Sequence, residues 1–408
     1  MKLLRSIWSR LPRQVRREAL FSLTAALAPR VAHPPPHPTL PLTVAGYFSA
    51  TTGLGAATRR LAAGLRDQGF EVAEADLTAA LRQGAPGTRS AARSTRSSAP
   101  VPSGAGTLLV HVNGPMLPWA LLALGRRAVA GKRVIGVWNW ELPVLPRDWD
   151  RGFSACHEIW AGTEFVASAC RRPGGPPVKV VPYTLPRPSP SRLDRSAFGL
   201  PADAFVSLAV FDATSSLARK NPLGAIEAHT RAFGSGIDHI LVIKTHGTHL
   251  AGPAWAEVAA AAAGRANVHV IDAALSRGDL WALMAASDLL ISLHRSEGFG
   301  FAIAEMMELG RPVIATGWSG NMDFMQGPGC HAIDWHLVPA RDPQETYDMP
   351  GTCWAEPDLD QAAAVLRRVA ADPLLRRPPA RRLPVPEYRA ALRLAEPSEP
   401  YDFRFTGI

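Results

Sequence analysis

Short apolar runs alternate with stretches of helical periodicity along most of this chain. In the first half, six runs have the length and composition of buried strands, at 42–48, 71–73, 108–112, 134–138, 158–161 and 178–181. Helical segments lie between most of them. Strands that alternate with helices predict a parallel sheet that is covered on both faces.

The same pattern restarts after a polar, proline-rich stretch at 186–200. The expected strands are 206–210, 240–244, 268–271, 289–293 and 313–315, and the expected helices are 222–233, 253–263, 277–286, 301–309 and 359–371. Two doubly wound α/β domains in tandem imply a cleft between them. In open parallel sheets, ligands bind beyond the carboxyl ends of the strands.

We divide the chain into four parts on this basis. They are an N-terminal arm and linker at 1–40, a first domain at 41–190, a second domain at 200–375 and a C-terminal tail at 376–408. Within the first domain, the Ser-, Arg- and Pro-rich stretch 84–106 has little to bury, and it predicts a flexible loop. The length of 408 residues suits two domains.

Charge and cysteine content narrow the class of protein. The net charge is +9 and comes almost entirely from arginine, with lysine only at Lys2, Lys132, Lys179, Lys220 and Lys244. In a chain whose basic residues are nearly all arginine, a lysine suits a site that needs a compact positive charge to bind phosphate. The arginines cluster without interleaved aromatic residues, which argues against nucleic-acid binding. Four cysteines without CxxC spacing indicate a reducing compartment.

The N-terminal arm has the pattern of a basic amphipathic helix. Leu3, Leu4, Ile7, Trp8 and Leu11 recur at helical spacing among arginines. The pattern favours binding to an anionic membrane surface, and a solvated or packed helical arm is the alternative. No apolar run is long enough to span a bilayer. We therefore expect a cytoplasmic protein that is peripheral at the inner face of the membrane.

The segment SEGFGFAIAE at 296–305 is the strongest candidate for chemistry. It follows an apolar strand, and Gly298 and Gly300 allow close backbone approach where a helix begins. Helix starts favour anions, whereas Glu297 and Glu305 are suited to accepting hydrogen bonds from sugar hydroxyls. A helix cap and a solvated side chain are the alternative interpretation of the two carboxylates.

Three segments together resemble a known family. SEGFGFAIAEMMELGRPVIATGWSGNMDF, FDATSSLARKNPLGAIEAHTRAF and CWAEPDLDQAAAVLRRVAADP are similar to the donor-site signature of the retaining family-4 glycosyltransferases. The resemblance implies the GT-B fold, two Rossmann-like domains that face a cleft. It also implies transfer of a sugar, with retained configuration, from a UDP- or GDP-sugar to a glycan or lipid-linked acceptor. No metal or other cofactor is expected.

The resemblance also implies roles for basic residues in the second domain. Lys220 and Arg219 would neutralise the diphosphate as the glycosidic bond breaks, which is commonly the largest catalytic contribution. The family normally has an arginine five residues before the lysine, where this chain has Ser215. Either Arg219 substitutes for it or Lys220 acts without it. Lys244 ends a strand on the cleft side, where it either reaches the nucleotide or is an ordinary strand-end lysine.

Further candidates come from the loops of both domains. The loop with Gly53 and Gly55 resembles the family's loop over the donor phosphate, and a plain tight turn is the alternative. His111, near a strand end, is a candidate for contact with the reacting sugar, and a buried core histidine is the alternative. Trp138, Trp140 and Glu141 are candidates for acceptor binding. Around the donor we also expect Phe299, Ser319 and Asn321.

The mechanism implied is front-side substitution, in which the leaving diphosphate takes the acceptor proton. A double displacement through a carboxylate nucleophile is the alternative. Two other functions use the same architecture: an enzyme that consumes sugar phosphate, such as a phosphorylase or epimerase, and a non-catalytic GT-B subunit that binds a partner. Glu297, Glu305 and Lys220 argue against the non-catalytic subunit, although Ser215 leaves this alternative open.

Overall fold

The fold is built on two six-stranded parallel sheets joined in one chain. The computed structural model describes residues 13–82, 101–347 and 349–394. The first sheet has the order β2-β1-β3-β4-β5-β6. Its strands are β1 Leu42–Gly46, β2 Val72–Asp76, β3 Gly106–His111, β4 Lys132–Trp138, β5 Glu158–Ala161 and β6 Val178–Val180.

The helices of the first half cover this sheet. They are α1 Arg13–Leu27, α2 Gly53–Asp67, α3 Leu117–Leu124, α4 Arg126–Val129, α5 Asp150–Phe153 and α6 Glu164–Cys170. Helix α2 begins where Thr52 accepts a hydrogen bond from the Gly55 N–H at 3.4 Å. Its inner face buries Ala57, Leu61 and Leu65. Apolar residues at this helical spacing give α2 one buried face, which packs against the first sheet.

The second sheet repeats the design with the order β12-β11-β10-β7-β8-β9. Its strands are β7 Phe205–Val210, β8 His239–Thr245, β9 Val268–Asp272, β10 Leu289–Ser292, β11 Val313–Thr316 and β12 Cys330–Ile333. The accompanying helices are α7 Leu217–Lys220, α8 Pro222–Phe233, α9 Pro253–Ala263, α10 Arg277–Ala286, α11 Phe301–Glu308, α12 Leu359–Ala371 and α13 Tyr388–Leu392. The predicted pair of doubly wound sheets is confirmed.

Two features of the second half were not expected. Strand β12 extends the second sheet, and an antiparallel hairpin of β13 Trp335–Pro339 and β14 Cys353–Pro357 follows it. The segment between these two strands buries Ala340 and Tyr347 in the apolar core of the first domain. The hairpin escaped prediction because most residues of β13 are exposed, so the strand carries no apolar alternation.

The end of the described chain returns to the first domain. Helix α13, in the stretch predicted as a tail, fully buries Tyr388 and Leu392 beside Trp160. Part of the predicted 84–106 loop and residues 1–12 of the arm lie outside the described residues. Helix α1, within the arm, buries Phe21 and packs against α3. Within 13–82, 101–347 and 349–394, no helix has the length and apolarity needed to cross a bilayer.

Candidate functional site

Glu297 lies in the loop between β10 and α11, at the carboxyl edge of the second sheet. Its side chain is buried, with 8% of the residue exposed. The Glu297 backbone N–H donates to the Ser319 hydroxyl at 2.7 Å. Gly300 immediately precedes α11 with a positive φ of 94°, and no side chain caps the start of that helix. The loop therefore holds a carboxylate directly before a helix start that favours negative charge.

Two cations from α7 flank this carboxylate. The Lys220 ammonium forms an ion pair with Glu297, and an Arg219 guanidinium nitrogen lies 3.3 Å from its second oxygen. Burial would raise the pKa of the Glu297 carboxyl, but Lys220 and Arg219 lower the pKa to about 2. Glu297 is therefore ionised at neutral pH, and the cluster carries a net positive charge.

Arg219 and Ser215 face different surroundings. The Ser215 hydroxyl donates to the Asp212 carbonyl at 2.7 Å, within its own turn. The Arg219 guanidinium is buried and donates to the Ser296 carbonyl at 2.8 Å, next to Glu297. The second positive charge beside the carboxylate is therefore supplied by Arg219.

Glu305, one turn into α11, pairs with cations from two different elements. Its carboxylate accepts hydrogen bonds from Arg60 of α2 and from Arg277 of α10. Only 3% of Glu305 and 7% of Arg60 are exposed. The Arg60 guanidinium carbon lies 3.8 Å from the Phe301 ring centroid. A buried ion pair thus crosses from the first domain to the second.

Sequence reasoning missed Arg60, although a signal was present. Arg60 lies on α2 among the buried positions Ala57, Leu61 and Gly64, so a charge interrupts an apolar helical face. A long charged side chain on such a face requires a buried partner. The sequence does not identify that partner, because Glu305 is 245 residues further along the chain.

The backbone of the Glu297 loop touches the first domain at Gly298. The Thr163 hydroxyl donates to the Gly298 carbonyl at 2.7 Å. A Cβ atom at Gly298 would lie 2.9 Å from the Trp140 carbonyl oxygen. Nearby, the Glu164 N–H donates to the Asp323 carboxylate at 2.6 Å. The predicted motif therefore lies at the contact between the domains.

Gly53 and Gly55 lie in the first turn of helix α2, and they differ in their surroundings. A Cβ at Gly55 would lie 2.3 Å from the Ala50 carbonyl oxygen, whereas one at Gly53 would meet no atom within 4 Å. Gly55 is required by the tight strand-to-helix turn. The surroundings of Gly53 impose no such packing requirement, and its predicted role over the donor phosphate stays a prediction.

His111 at the end of β3 is completely buried in the first domain. One ring nitrogen lies 3.0 Å from the Thr58 hydroxyl and the other lies 3.1 Å from the Tyr183 hydroxyl. Burial lowers the pKa of His111 to about 4, so the ring is neutral at pH 7. Both nitrogens have protein partners in this conformation. The predicted contact with a reacting sugar stays a prediction.

The remaining donor-side candidates are also buried. Lys244 donates to the carbonyls of Thr245 at 2.7 Å and Ala273 at 2.6 Å, and burial lowers its pKa to about 8. The Asn321 amide donates to the Thr316 carbonyl at 3.0 Å. Phe299 packs across the domain boundary on Tyr183, with ring centroids 5.3 Å apart. The contacts of Lys244 join the ends of β8 and β9, and Phe299 stabilises the Glu297 loop against the first domain. The predicted donor contacts of these residues stay predictions.

The aromatic candidates of the first domain lie in its apolar core, and Trp140 also contacts Tyr347 of the second domain. Trp138 is fully buried, and Trp140 packs on Trp149 with ring centroids 5.2 Å apart. Glu141 accepts a hydrogen bond at 2.8 Å from the hydroxyl of Tyr347, a residue that sequence reasoning did not select. Glu141 is thereby connected to the second domain.

The fold and one segment can be compared with known proteins. The structure is similar to HepE from Anabaena, solved with UDP and glucose, with a TM-score of 0.55, 14% identity, and coverage of 82% of this chain and 90% of HepE. The chain has the GT-B fold. It is also similar to WaaG, a glycosyltransferase of lipopolysaccharide biosynthesis, with a TM-score of 0.52, 15% identity, and coverage of 82% and 92% of the two chains.

A third GT-B comparison is only partial. The chain spans about half of S. aureus TarM, solved with Fondaparinux, alpha-GlcNAc-glycerol and UDP: 66% of this chain and 49% of TarM align, with 11% identity and a TM-score of 0.48. Residues 235–349 match the family described as Glycosyl transferases group 1. No curated protein sequence matches the chain.

The matched segment confirms a resemblance to the group-1 glycosyl transferases over much of the second domain. It contains Glu297 and Glu305, whereas Arg219 and Lys220 precede it. Within the part of the chain that the structure describes, no group of three or more His, Cys, Asp or Glu side chains could hold a metal ion. Carboxylates paired with arginine and lysine are the charged groups of this site.

Proposed function

We propose that the protein is a glycosyltransferase that moves a hexose from a UDP- or GDP-sugar to a glycan or lipid-linked acceptor with retention of configuration. One observation carries the proposal: Glu297 lies between Arg219 and Lys220, immediately before the uncapped start of α11, at the cleft of a GT-B fold. The cations and the helix start suit a diphosphate, and the carboxylate suits sugar hydroxyls.

Lys220 is the cation best placed to meet the leaving diphosphate. Its side chain is 21% exposed, whereas the Arg219 side chain is 4% exposed. A phosphate oxygen could therefore bind the Lys220 ammonium, either in place of the Glu297 carboxylate or together with it. Arg219 would stabilise the developing charge from a fixed position, and such preorganised charges contribute strongly to catalysis.

Glu305 would accept hydrogen bonds from the ribose of the nucleotide. Its carboxylate is engaged by Arg60 and Arg277, so the ribose requires one guanidinium to move. Arg277 is the candidate, because its side chain is 43% exposed and returns to water at little cost. Arg60 is buried, and leaving it without a partner would be costly.

The reaction we propose is a front-side substitution. The bond between the anomeric carbon and the β-phosphate oxygen breaks, and the acceptor oxygen bonds to the same face of that carbon. The acceptor proton passes to the departing phosphate, so no protein base and no metal ion are required. The domain contacts around Gly298 and Phe299 would exclude water and so suppress hydrolysis.

The neighbours guide the choice of substrates to test. HepE was solved with UDP and glucose, which makes UDP-hexoses the first donors, with GDP-mannose as the comparison. WaaG acts in lipopolysaccharide biosynthesis, which favours a lipid-linked acceptor and a role in cell-surface glycolipid or polysaccharide synthesis. We place the protein in the cytoplasm, peripheral at the inner membrane face through its N-terminal arm.

The proposal is tested by following nucleoside diphosphate release from UDP- and GDP-hexoses, with and without lipid-linked saccharides, in the presence of a chelator. We expect release that depends on acceptor and survives chelation, and an anomeric proton signal in the product of the same configuration as the donor. Inverted product would contradict retention. Nucleotide binding without any turnover across the acceptor panel would favour a non-catalytic GT-B subunit.

The membrane assignment has its own test. A chain lacking residues 1–40 is compared with the full chain in co-sedimentation with vesicles of phosphatidylglycerol and phosphatidylcholine. We expect the full chain to bind the anionic vesicles, with binding lost at high salt and in the shortened chain. Equal binding by both chains would exclude the arm as the membrane contact.

A further inference from the structure

The segment between β13 and β14 reaches from the hairpin to the loop that carries the proposed phosphate-binding cations. The Ser216 hydroxyl donates to the Asp342 carboxylate at 2.8 Å, and the Leu217 N–H donates to the Gln344 side-chain oxygen at 2.5 Å. Asp342 is buried, and its other oxygen accepts the Tyr347 N–H at 3.1 Å. The start of α7 and the backbone of Tyr347 are therefore held by the same carboxylate.

Tyr347 connects this loop to the first domain. Its buried hydroxyl donates to Glu141 at 2.8 Å, and its ring packs on Trp140 with centroids 5.4 Å apart. The Arg219 guanidinium carbon lies 5.2 Å from the Tyr347 ring centroid. The Tyr347 side chain thus contacts Glu141 and Trp140 of the first domain. It also contacts Arg219, the cation beside Glu297 in the second domain.

We propose that Tyr347 is a positioning residue for the proposed sugar transfer, because it places Arg219 beside Glu297 when Glu141 of the first domain accepts its hydroxyl. The inference rests on the proposed function. Its consequence is that the positive charge for the diphosphate is fully assembled only when the domains are in contact. Donor binding and domain closure then favour each other.

The physical basis is the fixed orientation of an aromatic face. A guanidinium near a tyrosine ring is attracted by the ring's negative face, and this attraction is strongest where water is excluded. The hydrogen bond to Glu141 and the contact with Trp140 fix the ring plane. Without them, the ring could rotate away from Arg219, which would still contact the Ser296 carbonyl and the Glu297 carboxylate.

The test is calorimetric titration of the full chain with UDP. Tyr347→Phe removes the hydroxyl and keeps the ring, and we expect it to weaken UDP binding about three- to tenfold, the usual effect of losing one hydrogen bond. In the Arg219→Ala background, we expect Tyr347→Phe to have no further effect, because the residue that it positions is gone. A purely structural role would weaken binding equally in both backgrounds.

A matched control is available in Tyr388→Phe. Tyr388 is also fully buried, and its hydroxyl lies 3.2 Å from the Thr184 hydroxyl within the first domain. We expect this variant to bind UDP as the wild type does. Three results would overturn the inference while leaving the function intact: wild-type affinity in Tyr347→Phe, equal loss in Tyr388→Phe, or undiminished loss in the Arg219→Ala background.

Failure of the proposed function gives a different result. If the wild type binds none of UDP, GDP and ADP, the donor site itself is contradicted, and the role of Tyr347 is overturned with it. If the wild type binds GDP or ADP instead of UDP, the same variants are titrated with that nucleotide. The same three results would then overturn the positioning role of Tyr347.

Discussion

Glu297 and Glu305 stand eight positions apart in one motif, but they are held in different ways. Glu297 takes both of its cations, Arg219 and Lys220, from its own domain. Glu305 takes Arg277 from its own domain and Arg60 from the other. The first carboxylate depends on the first domain only indirectly, through the contact of Tyr347 with Arg219, whereas the second has all of its partners only when the two domains touch.

This difference separates two tasks within the proposed donor site. The charged groups for the diphosphate and the reacting sugar belong to the second domain, and Tyr347 couples Arg219 to the first domain. The proposed ribose contact is coupled to the relative position of the domains. The comparison predicts that substitution of Glu305 mainly weakens the contact between the domains. Substitution of residues beside Glu297 should mainly lower the rate of the proposed sugar transfer.

The largest expected effect is on stability, in Glu305→Ala. The change leaves Arg60 buried without a charge partner, and breaking such a pair costs about 3–5 kcal/mol in the free energy of unfolding. The measurement is urea unfolding, with Glu227→Ala as control. Glu227 pairs with Arg231 where both side chains are about 40% exposed, so its loss costs about 0–1 kcal/mol. Equal losses in the two variants would contradict a buried ion pair between domains.

Lys220→Ala should act on turnover. Removing one preorganised group that stabilises charge in the transition state lowers kcat about 10²- to 10³-fold. The assay is the release of nucleoside diphosphate in the presence of acceptor. Arg231→Ala, a change to a cation exposed on the surface of α8, is the control and should leave kcat unchanged. A kcat reduced less than tenfold in Lys220→Ala would assign the diphosphate to other groups.

The third effect is on the pH dependence of stability. The pKa of Glu297 is about 2 in the folded protein, against an ordinary value of 4.5. As the pH falls, the unfolded chain binds this proton first, so about 3 kcal/mol of stability is lost between about pH 5 and pH 2. Glu297→Gln should remove that part of the slope in urea unfolding from pH 3 to pH 6. A slope equal to that of the wild type would show that the carboxylate is not held ionised by its neighbours.

The smallest effect compares two glycines of the cleft. Gly298→Ala places a Cβ 2.9 Å from the Trp140 carbonyl, and we expect the overpacked contact to cost about 1–3 kcal/mol. Gly53→Ala meets no atom within 4 Å, and it should be neutral or stabilise by up to about 1 kcal/mol. Thermal unfolding of both variants checks the pair. If Gly298→Ala proves as stable as Gly53→Ala, the domains do not meet closely at the Glu297 loop.

The motif residues could be predicted because they are local. Glu297, Gly298 and Gly300 follow a strand and precede a helix, so topology alone assigns them to the cleft edge. Lys220 follows the first strand of the same sheet, and parallel strands bring such loops together. Most strands of the two sheets were predictable from short apolar runs, whereas β12, with the sequence CHAI, is only partly buried and was not predicted.

The contacts between domains could not be predicted in this way. Arg60 meets Glu305 at a separation of 245 residues, and Glu141 meets Tyr347 through the unpredicted hairpin. For Glu141 and Tyr347 the separation is 206 residues. Such pairs depend on how one domain faces the other, which no local periodicity encodes.

The most direct test of the donor site is thermal unfolding of the wild type and of Glu305→Ala with UDP, GDP, ADP and their sugar conjugates. A ligand that binds only the folded protein stabilises it by about 2.7 kcal/mol when present at one hundred times its Kd. We predict that one nucleotide and its sugar conjugate raise the Tm of the wild type, and that the shift is smaller in Glu305→Ala. No shift with any of these ligands would contradict a nucleotide-sugar site in this cleft.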